Sequence, residues 1–483
     1  MARDITLRGH DYRYAAEQAV MAFLPDFGGE GDRLLSSFSG GVASARMEYR
    51  GKVYEGHAVA ASVPEGERER VKLEQRLIRE SIFEAVLPAL PKAPPWGSLT
   101  GVRPGKLAAR YMDLHGRDME ETAKWLVSEY RISPARAALC ARVSEAGLKV
   151  RDRLAPEDII LYVGIPFCPT RCAYCSFVSH SVEKSLALVE PYVEALCREM
   201  ADAGALLRET GLRVRAVYWG GGTPTTLSPE QLRRAMGCLG EHIDLSDNLE
   251  YTVEAGRPDT VTAEKLLALR DGGATRLSIN PQTMEDAVLA AIGRRHTAAD
   301  IEAAYALCRE VFPEARVNMD LISGLPGDSA EGFRRSLERV LQMAPENVTV
   351  HTLTRKRGSD MNESALSGLP GETVGEMVDY SLRRLPEMGY APYYLYRQKF
   401  SVGGYENVGW AWAGTECLYN IAMMEELCSV LSLGAGGATK RLLPGGKILR
   451  CFNKKYPREY LASLSAAKEE KRRLFLGEKG VFG

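Results

Sequence analysis

Apolar and polar positions follow two rhythms along this chain, and the change falls near residue 155. Before it come short pieces of period-two alternation, Ile5 to Arg8 and then ARMEYRGKVYEGHAVA, in which RGK reads as a hairpin turn. Stretches with helical periodicity follow: GERERVKLEQRLIRESIFEAVLPAL, DMEETAKWLVSEY and SPARAALCARVSEAGLKVRDRL. Residues 1–155 are therefore expected to form a compact α+β N-terminal domain. No catalytic motif lies in it.

After residue 155, six short apolar strands alternate with amphipathic helices. The strands read IILYVGIP, RAVYWGGG, LEYTVEAG, TRLSINPQ, RVNMDLISG and NVTVHTLT, and the helices include VEPYVEALCREMADAGALL, SPEQLRRAMGCLGEHI and AEGFRRSLERVLQM. Repeated strand–helix units predict an α/β fold with a parallel sheet and right-handed crossovers. Six of them predict an incomplete (β/α)6 barrel or a strongly curved open sheet over residues 156–390. Reactive groups in such folds gather where strands end. The unusual residues lie there: GIPFC, GGGTPT, EAGRPD, NPQT, DLISGLPGD and HTLTRKRGS. One active site at the strand C-termini follows. Beyond it, YAPYYLYRQKF, ENVGW and VLSLGAGGATK predict a small C-terminal closing domain over residues 391–483.

Composition narrows the class. With 483 residues, 45% hydrophobic and 26% charged, the chain is long enough for two or three domains of an ordinary globular protein. A formal charge of -1 offers no global attraction to nucleic acid. No apolar run approaches the roughly 18 to 20 residues that span a bilayer, and MARDITLRGHDYR is too polar for a signal peptide. A cytoplasmic location is expected. Ten cysteines are too sparse for a disulfide scaffold.

Three of them cluster, in YVGIPFCPTRCAYCSF, residues 162–177. Cys168, Cys172 and Cys175 follow an apolar strand with C-x3-C-x2-C spacing, so a short loop can bend three thiolates towards one point. Thiolates are soft ligands suited to iron and zinc. A structural zinc wants a fourth ligand, for which His180 is the local candidate. A four-iron cube held by three thiolates keeps one iron open to an external ligand.

The spacing and the strand before it resemble the radical S-adenosylmethionine superfamily. Tyr162, Pro166, Phe167, Cys168, Cys172, Tyr174 and Cys175 match the Y-x-H-I-P-F-C-x3-C-x-Y-C pattern of its oxygen-independent coproporphyrinogen III oxidase family. WGGGTPT, VEAGRPD, SINPQT, GRRHT and DLISGLPGD follow in that family's order, and the likeness covers roughly residues 156–440. The N-terminal region and GVRPGK are similar to the coproporphyrinogen dehydrogenase branch, which carries an extra N-terminal segment.

The resemblance implies a 4Fe-4S cluster on Cys168, Cys172 and Cys175, with S-adenosyl-L-methionine on the open iron. It places Tyr162, Tyr174, Gly221, Gly222, Thr223 and Glu254 around that cofactor. Gln282, Arg294 and Asp320 match positions that bind a second S-adenosylmethionine. The implied reaction is oxidative decarboxylation of coproporphyrinogen III to protoporphyrinogen IX by a 5′-deoxyadenosyl radical, in porphyrin biosynthesis. Its partners are a porphyrinogen substrate and an external electron donor and acceptor. Four propionates need basic groups, and Arg355, Lys356, Arg357, Arg397, Lys399, Arg103 and Lys106 are candidates.

Two positions depart from the pattern. Gly164 stands where most relatives have histidine, and Phe177 replaces an additional cysteine of the oxidases. Two other activities share this core. One is a radical methyltransferase or haem-degrading enzyme. The other is a haem-binding chaperone without turnover, whose H-N-x-x-Y-W motif is here ECLYNIAMMEE, with only Asn420 in common.

Overall fold

The computed structural model describes residues 4–60, 62–175, 180–354, 369–399 and 401–477. The chain divides into two compact units: Met1–Arg142 with Arg397–Phe400, and Val143–Tyr396 with Ser401–Gly483.

In the first unit β1 (Asp4–Arg8), β2 (Arg33–Ser39), β3 (Val42–Tyr49) and β4 (Lys52–Val59) form one sheet in that order. β1 runs parallel to β2, and the other pairs are antiparallel. Helices α1 (Arg13–Phe23) and α2 (Glu67–Val86) close its core of Val20, Phe23, Leu34, Met47, Ile78 and Phe83. Gly56 lets β4 and α2 meet, because a Cβ there would lie 2.2 Å from the Ser81 carbonyl oxygen. Two further helices follow, α3 (Pro104–His115) and α4 (Met119–Tyr130), and then α5 (Pro134–Arg151), which begins in this unit and ends in the second. Asp118 caps α4 by accepting from the amides of Glu120 and Glu121.

The second unit is built on an eleven-stranded sheet. Its strands are β5 (Asp158–Ile165), β6 (Arg213–Gly221), β7 (Glu250–Glu254), β8 (Arg276–Ser278), β9 (Arg316–Ser323), β10 (Asn347–Thr352), β11 (Ala391–Arg397), β12 (Glu406–Ala411), β13 (Ser429–Leu433), β14 (Ala438–Leu442) and β15 (Ile448–Phe452). Their order is β11-β12-β10-β9-β8-β7-β6-β5-β13-β14-β15. The six central strands are the six read from the sequence, all parallel, in an open sheet that does not close into a barrel.

Residues 391–483, expected as a closing domain, extend this sheet at both edges. β12 pairs antiparallel with β10, while β13 pairs parallel with β5, setting Ser429 beside Ile159 and Leu433 beside Val163. Their sequences explain this. ENVGWA is buried throughout and SVLSL in all but its first residue, as strands covered on both faces must be.

Between the strands run α6 (Val182–Thr210), α7 (Pro229–His242), α8 (Ala263–Asp271), α9 (Asp286–Ala291), α10 (Ala298–Val311), α11 (Ala330–Met343) and α12 (Gly371–Glu387). Reciprocal capping boxes start α7 (Ser228 with Gln231) and α10 (Thr297 with Asp300). Towards the C-terminus lie α13 (Leu418–Glu425), α14 (Pro457–Ala462) and α15 (Leu464–Leu476). No helix among the described residues is long and apolar enough to cross a membrane.

Side chains alternate across a strand, so register decides what shares a face. Tyr162 stands beside Tyr218, Glu254 beside Ser278, and Asp320 beside Thr349. Lower on the same strands Ile160 pairs with Ala216, and there Tyr393, Tyr419, Ile421 and Ala422 pack as an apolar plug. The plug is held by a buried pair. Glu250 accepts from the amides of Leu418 and Tyr419 (3.0 and 3.1 Å) and from the Cys417 thiol, and Arg276 lies 3.3 Å from it. α13 is thereby fixed beneath the polar ends of the strands.

Candidate active site

The cysteine loop is gripped from two successive strand ends and from the turn after α9. From β6, Thr223 Oγ1 lies 3.5 Å from Cys168 Sγ. After β7, the buried Arg257 guanidinium reaches Cys172 Sγ at 3.6 Å. After α9, the Ile292 carbonyl accepts from the Ala173 amide at 3.0 Å, and Arg294 Nη2 donates to Tyr174 Oη at 3.2 Å. Cys172 is buried, while Cys168 and Cys175 are half-buried.

The glycine turn is pressed onto the segment leading into that loop. The Gly222 amide donates to Ile165 O and the Thr223 amide to Phe167 O, both at 2.7 Å. Gly221 takes φ +103°, a left-handed conformation that glycine adopts without strain. A Cβ on Gly222 would lie 2.5 Å from Phe167 O. Gly164 has a comparable reason. A Cβ there would meet Ala435 O at 2.8 Å, and a Cβ on Gly434, in the turn after β13, would lie 2.2 Å from the Gly164 carbonyl oxygen.

An aromatic layer and a carboxylate lie on the same face. Tyr218 stacks on Tyr419 at 4.3 Å between centroids and 23° between planes, and Tyr162 lies 6.5 and 6.4 Å from the two. The Tyr218 hydroxyl donates to Glu254 Oε1, and Asn280 Nδ2 donates to Glu254 Oε2 at 3.1 Å. Burial and the nearby Asp320 charge push the Glu254 carboxyl up to about 7, against these hydrogen bonds. Burial also pushes the Tyr162 phenol well up, and Glu254 adds to the effect.

Asn280 links this carboxylate to the next strands. Its Oδ1 accepts from the Asp320 amide at 3.3 Å and its carbonyl from Arg294 Nη1 at 2.7 Å. Arg294 thus reaches the cysteine loop, with Asn280 standing between it and Asp320. Burial works to raise the Asp320 carboxyl. His351, 3.5 Å from Oδ2, together with Asn318 and Thr349, outweighs it and holds the group below the ordinary value. His351 Nδ1 lies 3.3 Å from Tyr396 Oη. Gln282 is buried at φ +68° and bridges to β9 through Asp320 O and Ile322 N. Bonds on both sides of the residue hold that left-handed backbone in place.

Several roles were not legible in the sequence. Arg257 and Asn280 lie inside VEAGRPD and SINPQT, and nothing in the spacing of those motifs shows which partners they reach. Tyr218 shares its strand with the glycine turn, and the register with Tyr162 is the signal that would have placed it. Tyr419 comes from a helix far along the chain. Among the propionate candidates, Arg397 lies over the Trp96 ring at 5.2 Å and Lys399 donates to Tyr14 Oη at 2.6 Å, both within the first unit. Arg355, Lys356, Arg357 and Phe177 lie outside the described residues.

The donor set fits an iron–sulfur cluster. Among the described residues no three His, Cys, Asp or Glu side chains gather tightly enough to hold a single metal ion. A cube is ligated differently, each thiolate on its own iron, so its ligands need not meet at one point. The Arg257 guanidinium beside Cys172 supplies positive charge and a hydrogen bond to its sulfur.

Comparison with known proteins places this geometry. The model of the Radical SAM superfamily matches residues 162–340. The oxygen-independent coproporphyrinogen-III oxidase-like protein HemZ of Bacillus subtilis is 39% identical over 375 residues, 76% of this chain and 74% of that protein. The heme chaperone HemW of the same organism is 32% identical over 251 residues, 51% of this chain and 64% of that protein. The structure of coproporphyrinogen III oxidase (HemN) from Escherichia coli superposes with a TM-score of 0.52 over 67% of this chain and 73% of that one, at 22% identity. It shares the fold. The chain belongs to the radical SAM superfamily, in the family of the oxygen-independent coproporphyrinogen-III oxidase-like protein HemZ.

Proposed function

We propose that this protein is an oxygen-independent coproporphyrinogen III dehydrogenase, which converts two propionates to vinyl groups and releases protoporphyrinogen IX. The observation that carries the reading is the convergence on one face of the thiolate loop, the glycine turn, Glu254 and the Gln282–Asp320 corner. When bound, the 4Fe-4S cluster with S-adenosylmethionine supplies a 5′-deoxyadenosyl radical able to remove hydrogen from a propionate β-carbon.

The chain's own residues bind and orient. Cys168, Cys172 and Cys175 hold the cluster. The turn at Gly221, Gly222 and Thr223 presents backbone polar groups to the methionine end of the cofactor, and Tyr162 and Tyr174 flank it. Glu254 holds the cofactor's positive charge, fixed in place by Tyr218 and Asn280. Gln282, Asp320 and Arg294, on either side of Asn280, bind a second S-adenosylmethionine. The Tyr218–Tyr419 layer closes the site from below and keeps water out. An external donor supplies the electron that reduces the cluster, and an acceptor takes the one left after decarboxylation.

Anaerobic incubation of reconstituted, reduced protein with coproporphyrinogen III tests the reading. Protoporphyrinogen IX is the expected product. Release of 5′-deoxyadenosine with coproporphyrinogen III unchanged would refute the substrate.

A second reading, haem transfer, is favoured by the 32% identity to a heme chaperone. Tight, stoichiometric haem binding without turnover would establish it in place of the first.

A further inference from the structure

Two buried arginines, Arg257 and Arg294, lie against the cysteine loop, and Arg257 is the one whose every donor meets an acceptor. Its side chain is 3% exposed, on the turn that follows β7. Nε donates to Asp259 Oδ1 at 3.2 Å, and Nη2 to Asp259 Oδ2 at 3.3 Å. Nη2 also reaches Thr170 Oγ1 at 2.9 Å, and Nη1 the Thr170 carbonyl at 3.3 Å. The remaining direction of Nη1 is taken by Cys172 Sγ at 3.6 Å. A guanidinium has five N–H groups, and here five acceptors meet them. None is left for a substrate carboxylate.

We propose that Arg257 is a positioning residue that sets the reduction potential of the iron–sulfur cluster, and that Asp259 offsets part of its charge. The inference rests on the cluster assignment above. An N–H donor and a positive charge beside a ligating sulfur stabilise the more negative, reduced cluster and raise its potential. The neighbouring carboxylate, shared through a bidentate fork, works the other way. Lysine cannot reproduce this grip, since it lacks the planar fork that reaches Thr170 and Cys172 together.

The test is a redox titration, followed by electron paramagnetic resonance, of anaerobically reconstituted full-length protein, with iron and sulfide content measured on each sample. Arg257→Gln is expected to shift the cluster potential negative, Arg257→Lys to shift it less, and Asp259→Asn to shift it positive. Opposite signs for the two partners are the signature, because a loop merely loosened by either change would move both the same way. If Arg257→Gln takes up no cluster, Arg257→Lys and Asp259→Asn decide. Wild-type potentials in all loaded variants, or shifts of one sign at both positions, would overturn the proposal while leaving the cluster assignment intact. A wild-type protein that binds no cluster would overturn both.

Discussion

The Tyr218 hydroxyl donates to the Glu254 carboxylate across neighbouring strands, while Tyr218 lies stacked on Tyr419 from the far end of the chain. A carboxyl with a rise to about 7 is thereby held at the end of β7.

That rise predicts a pH dependence. The protonated form is favoured in the folded protein, so its contribution to stability is complete below the unfolded carboxyl value and is lost as pH rises towards about 7. Glu254→Gln removes this loss, and the cofactor-free variant should melt higher than wild type at pH 8 but not at pH 5. Binding of S-adenosylmethionine runs the opposite way, since its cation needs the carboxylate. Affinity should fall roughly tenfold per unit below about pH 7 in wild type and be insensitive to pH in the variant. Differential scanning calorimetry and equilibrium dialysis across that range check both.

Asp320 is held in its charged form by His351 and so can accept from ribose hydroxyls at neutral pH. At the proposed second site, Asp320→Asn should weaken S-adenosylmethionine about tenfold to a hundredfold, the value of a hydrogen bond to a charged group. Binding stoichiometry under anaerobic conditions should drop from two molecules to one at moderate ligand concentration. Unchanged stoichiometry in the variant would remove Asp320 from that site.

Gly164 departs from the family pattern for a packing reason. The turn at Gly434 and Ala435 occupies the space a side chain would need. Gly164→Ala should cost about 1–3 kcal/mol as overpacking, and Gly164→His more. Urea unfolding monitored by circular dichroism measures it, and a neutral Gly164→Ala would mean that the turn yields freely.

The same turn is anchored by a buried carboxylate. Glu199 accepts from the Gly434 amide (2.7 Å), Asn453 Nδ2 (2.8 Å), the Tyr460 hydroxyl (2.6 Å) and Lys471. Burial opposes its charge, but Lys471 and these hydrogen bonds outweigh it and hold the carboxyl below the ordinary value. A depressed carboxyl stabilises the fold above its unfolded value, and the contribution is lost as pH falls through the folded one. Lys471→Met leaves the charge buried without its cation and should cost about 3–5 kcal/mol. Adding Glu199→Gln to that variant should recover much of the loss and flatten the acid limb of the stability profile, measured by chemical denaturation between pH 4 and 7.

The parallel core was legible because each strand is a short apolar run followed by an amphipathic helix, and the cysteine, glycine and carboxylate motifs lie at strand ends. The edges were not legible. SVLSL reads as an apolar strand wherever it goes, and nothing local in it says that it pairs with β5, more than two hundred residues earlier. The supporting side chains were hidden for the same reason. Arg257, Asn280 and Tyr419 act through partners on other elements, and Tyr419 comes from α13, whose start is held by Glu250 with Arg276 beside it. Motif spacing reports what a loop can ligate. It does not report what holds the loop still.

Hydrogen transfer from substrate to cofactor tests the central claim most directly. Coproporphyrinogen III deuterated at the propionate β-carbons, turned over anaerobically by reconstituted wild-type protein, should yield 5′-deoxyadenosine carrying deuterium together with protoporphyrinogen IX. The Cys172→Ala variant should yield neither. Deuterium-free 5′-deoxyadenosine with the tetrapyrrole recovered intact would contradict the account, and so would turnover by the variant.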